Sequence, residues 1–237
     1  MDKTNKILVS DYDRTYYVSD EGIEENKATI EKFREAGNIF IIATGRSYED
    51  YKRKADQYNI KSDYVILNHG AMILNKDEGL DYNFTISNNI IEDLVSDLQV
   101  EKSIRAFSCV GKISYEDLTH KDITKIHIRY DDAELFYAIK DKINQKYGEY
   151  IHTYQIWGSA MEIVSSATDK SYAIGLLADK EGLKRDNIYT IGDGHSDVEM
   201  IKNYKGYCMT ESIPLLKTLA LGECESVSEL AKKIMQM

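Results

Sequence analysis

Ile7-Leu8-Val9-Ser10-Asp11-Tyr12-Asp13-Arg14-Thr15 is a short apolar run that breaks abruptly into acids and a hydroxyl. An unbroken apolar run suits a strand covered on both faces, as in a parallel sheet layered between helices. Three more runs repeat the pattern: Ile39-Phe40-Ile41-Ile42-Ala43, Tyr64-Val65-Ile66-Leu67 and Ile188-Tyr189-Thr190-Ile191. Helical segments lie between them. One carries Ile23, Ile30 and Phe33 and ends before Gly37, another follows Arg46, and a third carries Ala173, Ile174 and Leu177. Alternating strands and helices of this kind predict a doubly wound α/β domain with a parallel, Rossmann-like sheet.

The middle of the chain has a different period. Lys125-Ile126-His127-Ile128-Arg129-Tyr130 alternates polar and apolar, the pattern of an antiparallel strand with one wet face. Around it are a helix (Ile90, Ile91, Leu94, Leu98), a hairpin turning near Gly111, a second helix (Leu135, Ile139, Ile143, Tyr147) and a hairpin turning at Gly158-Ser159. The expected organisation is a core of residues 1–79 and 166–237 with an inserted α+β domain at 80–165. Asn75-Lys76-Asp77-Glu78-Gly79 and Ser165-Ser166-Ala167-Thr168 are the expected hinges.

Composition narrows the classes. The 237 residues carry a formal net charge of −10, without a block of Lys or Arg that would attract nucleic acid or an anionic membrane. No apolar stretch approaches the length of a bilayer span. Cys109, Cys208 and Cys224 lack metal or CxxC spacing and read as reduced, buried thiols. The polar start Met1-Asp2-Lys3-Thr4-Asn5-Lys6 leads into only a short apolar run, so no signal peptide is expected and the location predicted is cytoplasmic.

Ligands of open α/β sheets bind beyond the carboxyl ends of the strands. Four polar groups fall at or near such points: Asp11 to Thr15, then Thr44-Gly45-Arg46-Ser47, then Lys170, then Gly192-Asp193-Gly194-His195-Ser196-Asp197. Taken singly, each has an ordinary structural explanation: a surface turn, a helix cap, a surface lysine, a charge in a first helical turn. Together they meet the needs of phosphoryl transfer. A carboxylate approaching a phosphate ester needs positive charge beside it, which Mg²⁺ supplies through oxygen ligands. Asp11 and Asp193 can each offer one oxygen and the Asp13 carbonyl a third, with Asp197 a further acidic candidate. Thr44, Gly45 and Arg46 offer a hydroxyl, helix-start N–H groups and a cation to a phosphate, and Lys170 can neutralise charge on the transferred group. Asp11 is then the nucleophile, and Asp13 the general acid and base.

These residues resemble the four motifs of the haloacid dehalogenase superfamily of phosphohydrolases. Asp11, Asp13 and Thr15 match the Asp-x-Asp-x-Thr motif, Thr44 the second, Lys170 the third, and Asp193 with Asp197 the fourth. The insert resembles the α+β cap of the Cof-type phosphatases, and Asn68-His69-Gly70-Ala71 is similar to the Asn-Gly-Ala turn at their core-to-cap junction. Arg14 stands where the family usually has Gly, and Ser196 where it has Asn. The resemblance implies a Mg²⁺-dependent phosphatase acting on small phosphorylated metabolites through an aspartyl-phosphate. A phosphosugar mutase and a non-catalytic phospholigand sensor are the alternatives. The cap residues Arg105, Lys112, Lys125, His127 and Arg129 are candidates for substrate selection, although the face holding Lys125, His127 and Arg129 could equally be solvated. His69 is expected at the junction and Trp157 at its hairpin, both as packing residues.

Overall fold

The computed structural model describes residues 5–237. Most of the polar start, Met1 to Thr4, on which the expectation of no signal peptide partly rests, lies outside the described residues. The first part of the chain holds β1 (Ile7–Ser10), α1 (Asp20–Glu35), β2 (Ile39–Ala43), α2 (Tyr48–Tyr58), β3 (Tyr64–Leu67), β4 (Met72–Leu74) and β5 (Leu80–Asn83). The middle holds α3 (Ile91–Asp97), β6 (Arg105–Val110), β7 (Ile113–Tyr115), β8 (Lys125–Arg129), α4 (Ala133–Tyr147), β9 (Ile151–Trp157) and β10 (Ala160–Ser165). The last part holds α5 (Lys170–Glu181), β11 (Ile188–Gly192), α6 (Val198–Asn203), β12 (Lys205–Met209), α7 (Pro214–Leu219), β13 (Glu223–Cys224) and α8 (Val227–Met235).

Two sheets form. The larger has eight strands in the order β13-β12-β11-β1-β2-β3-β4-β5, parallel from β13 to β3. Successive side chains of its central strands go to opposite cores, which is why these strands read as unbroken apolar runs. Leu8, Phe40 and Ile42 join one core with α1, α2 and α8; Ile7, Val9, Ile41 and Ala43 join the other with α5, α6 and α7. Side-chain caps start the long helices: Ser19 accepts from Gly22 N, Asp132 from Leu135 N and Asp169 from Tyr172 N.

The smaller sheet is five-stranded, antiparallel, in the order β7-β6-β8-β10-β9. Helices α3 and α4 cover one of its faces, and Ile126, Ile128, Met161 and Ile163 enter that core. Its other face carries Lys125, His127 and Glu162, and these side chains are buried rather than wet.

Two features differ from the sequence reading at the start of the insert. Leu80–Asn83, expected inside it, is the edge strand of the larger sheet and pairs antiparallel with β4. The expected hinge Asn75–Gly79 is therefore a hairpin turn, in which the Asn75 side-chain oxygen accepts from Asp77 N and Gly79 N. The outward crossing falls after β5, where Phe84 N still bonds Ala71 O of the larger unit while Ile86 N bonds Ile123 O of the smaller.

Candidate active site

Asp11 follows β1, Thr44 follows β2 and Asp193 follows β11. These strands are adjacent and parallel in register, so their carboxyl ends meet on one edge. Lys170 is the first residue of α5, directly after the Asp169 cap. Asp11, Asp193 and Asp197 offer carboxylate oxygens that all lie within 4.8 Å of one another, and all three residues are buried.

Lys170 bridges two of these acids, with its ammonium 2.6 Å from Asp11 Oδ1 and 2.7 Å from Asp197 Oδ1. Burial opposes the charge on Lys170, but Asp11 and Asp197 outweigh it and raise its pKa. Burial pushes the Asp11 carboxyl well up against the pull of Lys170, and the neighbouring Asp197 and Asp193 add to the rise. Asp193 is raised as well, first by burial and then by Asp197. Three buried carboxylates facing one ammonium are short of positive charge. Their hard oxygen donors fit a divalent cation such as Mg²⁺.

The other expected site residues have divided duties. Asp197 Oδ2 accepts from Asp193 N at 3.0 Å and Gly194 N at 2.9 Å, so both of its oxygens already hold the loop and Lys170. Gly192 permits that packing, since a Cβ there would come 2.6 Å from Asp197 Oδ2. Thr15 Oγ1 donates to Asp193 Oδ1 at 3.0 Å, and Arg14 Nη1 lies 3.5 Å from Asp193 Oδ2.

Asp13 is outside the acidic trio. Its carboxylate is held bidentately by Arg46, with Nε to Oδ2 at 2.8 Å and Nη2 to Oδ1 at 2.7 Å. Arg46, expected to bind substrate, is thus engaged with Asp13 and also with Asp50. Thr44 is buried, and its Oγ1 accepts from Arg46 N at 3.2 Å. His195 is exposed at the start of the short helical turn.

At the junction expected around Asn68-His69-Gly70-Ala71, the acid that meets His69 carried no signal in the sequence. Glu162 on β10 lies 2.6 Å from His69 Nε2 of the larger unit, accepts from Lys125 Nζ at 2.7 Å, and has His127 Nδ1 at 3.5 Å. Lys125 Nζ also donates to Gly45 O at 2.6 Å, beside Thr44. Gly45 admits this closeness; a Cβ there would stand 2.3 Å from the His69 ring. Burial opposes the Glu162 charge, yet Lys125 and the two imidazoles hold its pKa well below the usual carboxylate range. Burial pushes His69 down. The His69 ring stacks on Tyr154 of β9 at 4.3 Å, so His69 packs as expected and also anchors an ionic cluster. Asn68 beside it is fully buried, with neither side-chain polar atom partnered among the described residues.

Removing one partner from a buried ion pair strands the other. Glu162→Ala is expected to cost about 3 kcal/mol of stability at neutral pH in urea unfolding. Adding Lys125→Met should recover much of that loss, because the stranded ammonium is gone. Because the Glu162 pKa is depressed on folding, its contribution is present above the ordinary carboxylate range and fades as pH falls toward the lowered value.

The chain matches the haloacid dehalogenase-like hydrolase family over residues 8–113 and 106–231. A protein of Buchnera aphidicola subsp. Acyrthosiphon pisum is 27% identical, over 94% of this chain and 90% of its own. The 5-amino-6-(5-phospho-D-ribitylamino)uracil phosphatase of Bacillus subtilis is 23% identical over 90% of each chain. Among solved structures, a haloacid dehalogenase-like hydrolase from Bacteroides thetaiotaomicron superposes with a TM-score of 0.83, at 19% identity over 98% of this chain and 99% of that one. The chain belongs to the haloacid dehalogenase-like hydrolases and is an enzyme of their phosphatase type. Among the described residues, no helix is long and apolar enough to cross a membrane.

Proposed function

We propose that the chain is a Mg²⁺-dependent cytoplasmic phosphatase of small phosphorylated metabolites, working through an aspartyl-phosphate on Asp11. The observation that carries this reading is the buried trio of carboxylates bridged by Lys170 at the strand ends. Asp11, Asp193 and the Asp13 carbonyl would hold the ion. When bound, it supplies positive charge that offsets repulsion between carboxylate and phosphate.

Asp11 Oδ1 is held by Lys170, while Oδ2 takes no hydrogen bond among the described residues and is free to attack phosphorus. The Asp11–phosphorus bond forms as the bond to the leaving oxygen breaks, and Asp13 delivers a proton to that oxygen. Asp13 must first turn from Arg46 toward Asp11, so the Arg46 clamp defines its resting position. In the second half Asp13 takes a proton from water, the water oxygen attacks phosphorus, and phosphate leaves Asp11. Lys170 faces the charge that builds up in both halves. The smaller sheet and its helices, residues 84–165, act as the cap that covers the cleft and limits water.

The test is phosphate release from p-nitrophenyl phosphate and a panel of phosphorylated sugars and sugar alcohols. Turnover with Mg²⁺ and its loss in EDTA are expected; equal turnover in EDTA would overturn metal dependence, and none on any member the phosphatase reading. The uracil-linked ribityl phosphate named for the Bacillus relative belongs in the panel. Incubation with hexose 1-phosphate, followed for hexose 6-phosphate, separates a mutase.

A further inference from the structure

The face of the smaller sheet that meets Gly45 and His69 continues past the ionic cluster. Strand register sets out its rows. His127 stands between Phe107 and Glu162, and Glu162 lies opposite Tyr154. In the next row outward, Arg105 and Arg129 are directly opposite each other, and Ala160 separates Arg129 from Trp157. The strip therefore runs from the core, through Lys125 and His127, to two guanidiniums and an indole at its outer end.

That outer row is unusual for this chain. Like charges placed directly opposite on neighbouring strands repel. The protein has a net charge of −10, so acids to separate them are plentiful. Among the described residues, though, neither arginine is paired with a carboxylate. Arg129 lies over the Trp157 ring at 4.2 Å and Arg105 over the Phe107 ring at 5.3 Å. Trp157 is 55% exposed, so it is not the packing residue expected from its hairpin. Phe107 in turn stacks on His127 at 4.7 Å, joining the outer row to the inner cluster. The rings hold both guanidiniums in place while leaving their donors free, which suits a fork aimed at an anion.

We infer that Arg105 and Arg129 form a subsite for a second anionic group on the leaving portion of the substrate, flanked by Trp157 and Phe107. The inference rests on the phosphatase reading and narrows its substrate to phosphate monoesters whose alcohol carries another phosphate or a carboxylate. Two charges of one sign that cost stability in the free protein become favourable once a dianion lies between them.

Three six-carbon probes separate the sources of that charge: glucose 1,6-bisphosphate, 6-phosphogluconate and glucose 6-phosphate. In the wild type, kcat/KM for at least one of the first two should exceed that for the third by about tenfold or more, through KM. The preferred probe tells phosphate from carboxylate. Arg105→Gln and Arg129→Gln should each pull that ratio toward one, with a larger effect on KM than on kcat. Calorimetric binding of the same probes to Asp11→Asn protein reads the subsite independently of turnover. Wild-type turnover without preference for either doubly charged probe overturns the subsite and leaves the phosphatase standing. No turnover of any probe or of p-nitrophenyl phosphate counts against the phosphatase; the binding ratio then decides the subsite, and equal binding of all three overturns it. A preference that survives both substitutions also overturns it.

Discussion

Asp11→Asn is expected to lower phosphatase turnover by at least about 10³-fold, because an amide cannot form the covalent phosphoenzyme that the proposed route requires. The same substitution should not unfold the protein. Asn has nearly the shape of Asp, and Lys170 keeps its contact with Asp197. The sign for stability follows from the raised pKa of Asp11, which burial causes and Asp197 and Asp193 reinforce. A carboxyl whose pKa rises on folding holds its proton more tightly in the native state. It therefore weakens the fold as pH climbs from the ordinary carboxylate range through the raised value. At neutral pH in EDTA, Asp11→Asn should match or exceed the wild-type thermal midpoint. Mg²⁺ should then raise the variant's midpoint less than the wild type's, since one ligand has lost its charge. Wild-type turnover in the variant would sink Asp11 as nucleophile. A large fall in midpoint would mean that the residue holds the fold instead.

The central strands were legible because both of their faces are covered. Ile7 to Val9 and Ile39 to Ala43 are apolar at every position, and the polar residues that follow them mark the sheet edge where the site lies. Strand β12 escaped notice because Lys205-Gly206-Tyr207-Cys208-Met209 holds a lysine and a glycine, although all but Lys205 are buried. Edge strand β5 is half-exposed and polar, so it read as the start of the insert. The site failed to show in one respect: pairings between distant loops leave no period. Nothing local links Asp13 to Arg46, yet that pair sets where the proposed acid rests. Alternation along β8 correctly put Lys125, His127 and Arg129 on one face. It could not say that the larger unit lies against the inner part of that face, so a buried row resembled a solvated one.

Lys170→Met should remove activity and stability together, and pH should separate the two causes. The ammonium is buried between Asp11 and Asp197, so methionine fills its volume but leaves both carboxylates without their cation. Stranding a buried charge typically costs about 3–5 kcal/mol, and loss of one stabilising donor in a dry site typically costs about 10²–10³ in rate. Without the lysine, the carboxyl of Asp11 rises further on folding, so the stability penalty is largest where it would be ionised. In urea unfolding without metal, the deficit against the wild type should be large at pH 7.5 and shrink toward pH 5 as the native state takes up protons. Mg²⁺ at neutral pH should restore more stability to the variant than it adds to the wild type, because it replaces the missing charge. Activity should stay low under all of these conditions, since a cation held by Asp11 and Asp193 does not take the position of Lys170 beside Asp197. A deficit that is equal at both pH values would show that Lys170 is retained for packing, and the electrostatic account of the site would fall with it.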